Sequence, residues 1–143
     1  YVKDGGTLVV QYNNNRGLVT DKLGPYPFTL TRDRVTEEDA AVSFINPENS
    51  SLHYPNKINQ SDFDGWIQER GLYFTKDADP QYQKVLQMAD PGEAPKDGAL
   101  ITTQYGKGRF IYTSLAFFRQ LPAGVPGAYR LFINMLSKPK TNP

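Results

Sequence analysis

Ten residues near the middle of the chain hold its densest chemistry: Asp62-Phe63-Asp64-Gly65-Trp66-Ile67-Gln68-Glu69-Arg70-Gly71. An indole here sits among carboxylates, an amide and a guanidinium. Such a set can line a sugar site, the ring covering the apolar sugar face while Gln68, Glu69 and Arg70 take the hydroxyls. The same residues fit a packing role, with Trp66 filling core and Glu69 and Arg70 pairing with neighbours. A third use is acid/base work by Asp62, Asp64 and Glu69, the carboxylate chemistry of glycoside hydrolysis. A second polar set, Gln11-Tyr12-Asn13-Asn14-Asn15-Arg16, follows an apolar run. It offers either ligand donors or a solvated turn.

Other chemistries lack their parts. His53 is the single histidine, so neither a histidine zinc triad nor a Ser-His-Asp relay finds a supporting second histidine. The chain has no cysteine, which removes disulfides, thiolate metal sites and a cysteine nucleophile. A calcium loop beginning at Asp77 places Tyr82 where glycine is required and Met88 where glutamate is required. One beginning at Asp62 fails likewise, at Ile67 and Tyr73. Gly106-Lys107-Gly108 lacks the upstream glycine and the Ser/Thr of a phosphate loop, and no Gly-x-Ser-x-Gly is present. The expectation is therefore no metal and no cofactor in this chain.

The elements that must position these groups are those of one α/β domain. A length of 143 residues suits one domain, and 38% apolar residues with 18 aromatics (one Trp, nine Tyr, eight Phe) supply a core in bulky pieces. The formal net charge of +1 gives no concentrated basic surface for nucleic acid, and no apolar run approaches a membrane span. Tyr1 to Gly6 reads as the end of a helix capped by glycine. Thr7 to Tyr12 reads as a strand covered on both faces, since its apolar run is continuous. Short strands are expected at Phe28–Thr31, Ala40–Ile45, Leu72–Phe74 and Lys84–Met88, with a helical turn capped by Ser61. Ala99–Tyr105 and Arg109–Ser114 form a hairpin across Gly106-Lys107-Gly108. A last helix starts near Pro126, and its apolar positions Tyr129, Phe132, Ile133 and Leu136 should face the sheet. The domain is expected over residues 1–137, with 138–143 a mobile tail. A chain that opens at a helix end reads as a piece of a longer protein.

The run Tyr105-Gly106-Lys107-Gly108-Arg109-Phe110-Ile111-Tyr112-Thr113-Ser114-Leu115-Ala116-Phe117 resembles the Gly-Lys-Gly-Arg hairpin of class I glutamine-amidotransferase-like domains, in particular the ThuA-like branch. Tyr1-Val2-Lys3-Asp4-Gly5-Gly6-Thr7-Leu8-Val9 resembles the lead-in to a strand of that fold. Three longer stretches, Leu23 to Phe28, Asp62 to Phe74 and Phe118 to Arg130, are similar to the C-terminal region attached to some bacterial LmbE/PIG-L-type deacetylases. Ala116-Phe117 stands where the amidotransferase-like pattern has Gly-His, and the nucleophilic cysteine is missing, so glutaminase chemistry is excluded for this chain. The deacetylases' zinc-binding His-Pro-Asp-Asp is also absent.

The resemblance implies an α/β fold with a mixed, largely parallel sheet: the C-terminal half of a flavodoxin-like, amidotransferase-like fold, incomplete by itself. It implies a non-catalytic accessory domain that binds or positions a glycan-type substrate or partner for a linked sugar N-deacetylase. The partners would be that N-terminal domain or a second copy, with carbohydrate as ligand and neither nucleic acid nor membrane. The compartment leans to the bacterial periplasm or outside. A structural or oligomerisation module and a carboxylate-using hydrolase stand as alternatives. The candidate binding residues are Asn13, Asn14, Asn15, Arg16, Trp66, Gln68, Glu69, Arg70 and Arg119. In such a topology Gln11–Arg16, Gln68–Arg70 and Phe118–Gln120 should meet at the carboxyl edge of the sheet, where α/β proteins bind ligands.

Overall fold

The computed structural model describes residues 1–13 and 22–139. Asn14, Asn15 and Arg16 lie outside the described residues, as do positions 140–143 of the tail. The strands in chain order are β1 (Thr7–Gln11), β2 (Thr29–Leu30), β3 (Arg34–Val35), β4 (Val42–Phe44), β5 (Gly71–Leu72), β6 (Thr75–Lys76), β7 (Gln83–Lys84), β8 (Leu86–Met88), β9 (Leu100–Tyr105) and β10 (Gly108–Thr113). Two helices follow, α1 (Phe117–Gln120) and α2 (Pro126–Leu136). The result is a mixed α/β fold.

Its main sheet has the order β1-β10-β9-β7. β1 runs parallel to β10, while β10–β9 and β9–β7 are antiparallel. The sheet is thus mixed but not largely parallel, because two of its three pairings are antiparallel. The reason is local: Gly106 takes φ +60°, which makes a two-residue turn and forces β9 and β10 into a hairpin. Three two-stranded ribbons, β2–β6, β3–β5 and β4–β8, fold the middle of the chain against this sheet.

Tyr1 to Gly6 forms the paired bonds of a helix C-terminal closure, Gly6 N–H to the Tyr1 carbonyl and Gly5 N–H to that of Val2. β1 departs from its expected burial. Among the described residues it pairs on one side only, and Leu8 stays 41% exposed. The 60–63 turn is capped by Asn59 rather than Ser61, because Asp62 returns a bond to the Asn59 N–H and completes a capping box.

The largest correction concerns α2. Its buried residues are Gly127, Ala128, Leu131, Asn134 and Met135. Tyr129, Ile133 and Leu136 are about half exposed, and Phe132 is only partly buried. Two contacts choose this face over the bulkier one. The Asn134 amide donates to the carbonyls of Ser51 and Asn56 and accepts from the Asn56 N–H, satisfying buried backbone that an isoleucine could not. Gly127 lies so close to the 60–63 turn that a Cβ there would stand 1.7 Å from the Asp62 carbonyl oxygen. Only the face that presents glycine and alanine can approach that closely.

Two apolar clusters fill the interior. The larger joins Trp66, Phe63, Phe74, Phe117 and Leu131 beneath α2. The smaller packs Leu30, Tyr82, Phe110 and Tyr112 on the other side.

Candidate functional site

β1 and β10 end side by side, with Gln11 opposite Thr113, and the Tyr12 N–H donates to the Thr113 carbonyl at 2.8 Å. Beyond β10 the chain turns through Ser114–Ala116 into α1. The segment before β5 is held against this end by backbone bonds from Leu72 to Ser114 and from Ala116 to Arg70. Gln120, fully buried on α1, locks it further: its amide accepts from the Ile67 N–H and donates to the carbonyls of Ile67 and Glu69. These bonds fix the backbone of residues 67–70 and leave the Glu69 side chain pointing elsewhere.

Tyr12, Glu69 and Arg119, one from each of the three polar segments, meet there. The Tyr12 hydroxyl donates to Glu69 Oε1 at 2.8 Å. Arg119 Nε lies 3.7 Å from the same oxygen, and Arg34 Nη2 lies 3.6 Å from Oε2. The Glu69 side chain is only 6% exposed, whereas those of Arg34 and Arg119 are 56% and 36% exposed. A buried carboxylate thus carries a guanidinium on each oxygen, both reaching solvent. Phe118 and Tyr73 pack around the phenol, with ring centroids 4.5 and 5.6 Å from that of Tyr12. The Arg119 guanidinium also lies over the half-exposed Phe118 ring at 4.8 Å.

Backbone strain gathers at the same place. Tyr12, Gln68 and Tyr73 have φ of +49°, +65° and +64°, three of the four non-glycine residues described with positive φ. Such conformations cost on the order of 1–3 kcal/mol each and tend to mark sites where geometry is imposed for function. Burial, reinforced by the bond to Glu69, raises the Tyr12 phenol well above its ordinary range. Tyr12 is therefore a fixed proton donor rather than a base.

The structure redistributes the other candidates. Trp66 is 2% exposed, stacks on Phe63 at 5.4 Å and donates its indole N–H to the Asp62 carbonyl. It is core and cannot face a sugar, because the 60–63 turn and α1 close over both of its sides. Arg70 is likewise buried, and its guanidinium donates to the carbonyls of Ala40 and Phe63. Those bonds employ all three of its nitrogens, so it has no fork left for a ligand. Arg34 takes the place expected of Arg70. Asp62 accepts from the Asn59 N–H and from Arg130 Nε at 2.8 Å, facing α2, and shares no partner with Glu69. Asp64 is exposed, as is Gln68, whose N–H donates to Glu38. Asn13 is half-buried beside Tyr112. His53 is exposed against the Pro47 carbonyl. Among the described residues no three His, Cys, Asp or Glu are grouped to hold a metal ion, and no helix is long and apolar enough to cross a membrane.

Sequence reasoning missed Arg34 and Tyr73, and it placed Tyr12 and Phe118 only within converging segments, without singling either out as a binding residue; nothing local marks Arg34. Two clefts lie elsewhere. One of about 660 Å³ at the amino end of β1 is lined by Asn49, Gln83, Thr102 and Arg109. There Asn49 already donates to Gln83 and Thr102, and Arg109 caps the carbonyls at the end of α2. Another, of about 690 Å³, lies under residues 22–30. The Glu69 cluster differs from both in joining a buried carboxylate to two part-exposed guanidiniums and a half-exposed aromatic ring.

No family model matches the chain, and no curated protein does. A solved structure is similar: a cytoplasmic protein of Salmonella typhimurium, STM3548, with a TM-score of 0.56 and 17% identity. The match covers 95% of this chain and 56% of that one, so this chain spans little more than half of its structural neighbour. That likeness supports the mixed α/β fold.

Proposed function

We propose that this chain is a non-catalytic accessory domain whose Glu69 cluster binds or positions a glycan-type ligand for a linked sugar N-deacetylase. The fold would then be the C-terminal half of a flavodoxin-like, amidotransferase-like domain. One observation carries the reading. Glu69 and Arg119 come from two of the stretches similar to the deacetylase-linked region, Tyr12 closes the strand that follows the amidotransferase-like lead-in, and all three touch at the carboxyl end of β1 and β10. Sugar chemistry fits what is displayed there. The half-exposed Phe118 ring offers an apolar platform, and the part-exposed Arg34 and Arg119 donate. Binding is favoured over acid/base catalysis because the Tyr12 proton is held firmly and Glu69 is flanked by two guanidiniums.

Titration of the full chain with chito-oligosaccharides, followed by amide chemical shifts, tests the reading. Saturable shifts at Tyr12, Tyr73 and Phe118, lost in Phe118→Ala, are expected. No shifts with any sugar, or shifts confined to the cleft at Asn49 and Thr102, would overturn it. A second reading, an oligomerisation module, draws on the half-exposed α2 stripe of Tyr129, Ile133 and Leu136.

A further inference from the structure

Two guanidiniums flank Glu69, yet neither makes a hydrogen bond among the described residues. Their approaches of 3.6 and 3.7 Å are ion-pair distances, too long for hydrogen bonds. The buried Arg119 Nε is the atom that faces Glu69 Oε1, so a ligand would meet the remainder of that part-exposed guanidinium. Among the described residues one buried carboxylate serves both guanidiniums, at ion-pair distance only. Guanidinium forks match the paired oxygens of carboxylates and phosphates far better than they match single hydroxyls. The Glu69 carboxylate holds both side chains in place from the buried side and leaves their outer faces to solvent.

We infer that the group bound between Arg34 and Arg119 is an oxyanion, a carboxylate or phosphate borne by the ligand. This rests on the Glu69 cluster being the glycan site and specifies its ligand as an acidic sugar. Glu69 then acts as the positioning residue for the clamp, and Phe118 carries the sugar ring beside the charge.

Three probes separate the possibilities: glucuronate, glucose 6-phosphate and neutral N-acetylglucosamine, with inorganic phosphate as the bare anion. The acidic sugars should bind more tightly than the neutral one. Arg34→Ala and Arg119→Ala should each weaken them by about 10- to 100-fold, the effect of losing a hydrogen bond to a charged group. Arg→Lys at either position should restore only part, because the charge returns without the fork. Whichever acidic sugar binds tighter identifies the source of the oxyanion. Equal binding of neutral and acidic sugars, unaffected by both Ala variants, would overturn the inference and leave the glycan reading standing. Binding of inorganic phosphate at this site without any sugar would keep the oxyanion and overturn the glycan. Silence from all four would overturn both. Thermal melts of each variant show whether it remains folded, and the Lys variants serve where an Ala variant does not.

Discussion

At the scale of single residues, the polar groups divide into those used up inside the fold and those left facing outward. Arg70 belongs to the first kind. Burial lowers its guanidinium pKa, with Asp39 and Asp64 acting in the opposite sense, and its bonds go to two backbone carbonyls. Arg70→Ala should therefore destabilise the fold by about 3 kcal/mol through two unsatisfied carbonyls, as read by urea unfolding, rather than act on ligand affinity. The buried tyrosines give a pH dependence. Burial pushes the phenols of Tyr82 and Tyr112 up from 10.0 to about 12, and Tyr12 moves in the same direction. Their folded-state pKa values lie above the unfolded value, so the stability they contribute is complete below pH 10. It is lost as pH climbs through about 12. Melting temperature should fall steadily above pH 10, and Tyr112→Phe should flatten that fall. A melting curve unchanged across this alkaline range would contradict the burial of these phenols.

At the scale of elements, α2 is placed by its small and polar residues. Arg130 reaches Asp62, Asn134 bonds the 51–56 segment, and Gly127 sits against the Asp62 carbonyl. Helix propensity alone would make Gly127→Ala stabilising by about 1 kcal/mol. The contact reverses the sign, so this variant should melt below the parent chain. The two faces should also separate by mutation. Leu131→Ala should cost about 2–5 kcal/mol, while Ile133→Ser should stay within about 0.5 kcal/mol. Equal costs at positions 131 and 133 would mean the helix is rotated from the orientation described.

At the scale of the whole molecule, the sheet ends on β1, whose sequence suits a covered strand and whose outer edge has no partner among the described residues. Exposed Leu8 and the half-exposed stripe of α2 add apolar area. Open strand edges with apolar side chains pair with other chains unless charge or a bulge prevents it. The chain should accordingly associate as its concentration rises in sedimentation velocity, and Leu8→Lys should shift it toward monomer. A single monomeric species throughout would show that the edge is protected.

What the sequence determined by itself was whatever rests on neighbours in the chain. The hairpin of β9 and β10 follows from Gly106 between two β-rich runs, the start of α2 from Pro126, and β1 from the apolar run after Gly6. Glu69 was legible as a candidate because polar groups cluster around it, and Arg119 because its segment follows the last strand in the expected topology. The tertiary structure alone decided where those groups face. Trp66 went into the core because Phe63 and Phe117 close on it, and Arg70 turned inward to two carbonyls. α2 buried Asn134 rather than Ile133, because a buried amide that satisfies distant backbone outweighs one more apolar contact. Tyr12 and Glu69 are 57 residues apart in the chain, and Arg34 joins them from a third segment. No periodicity or spacing encodes such a meeting. It comes from the register of β1 on β10 and from the bonds that dock the Glu69 segment beside their ends.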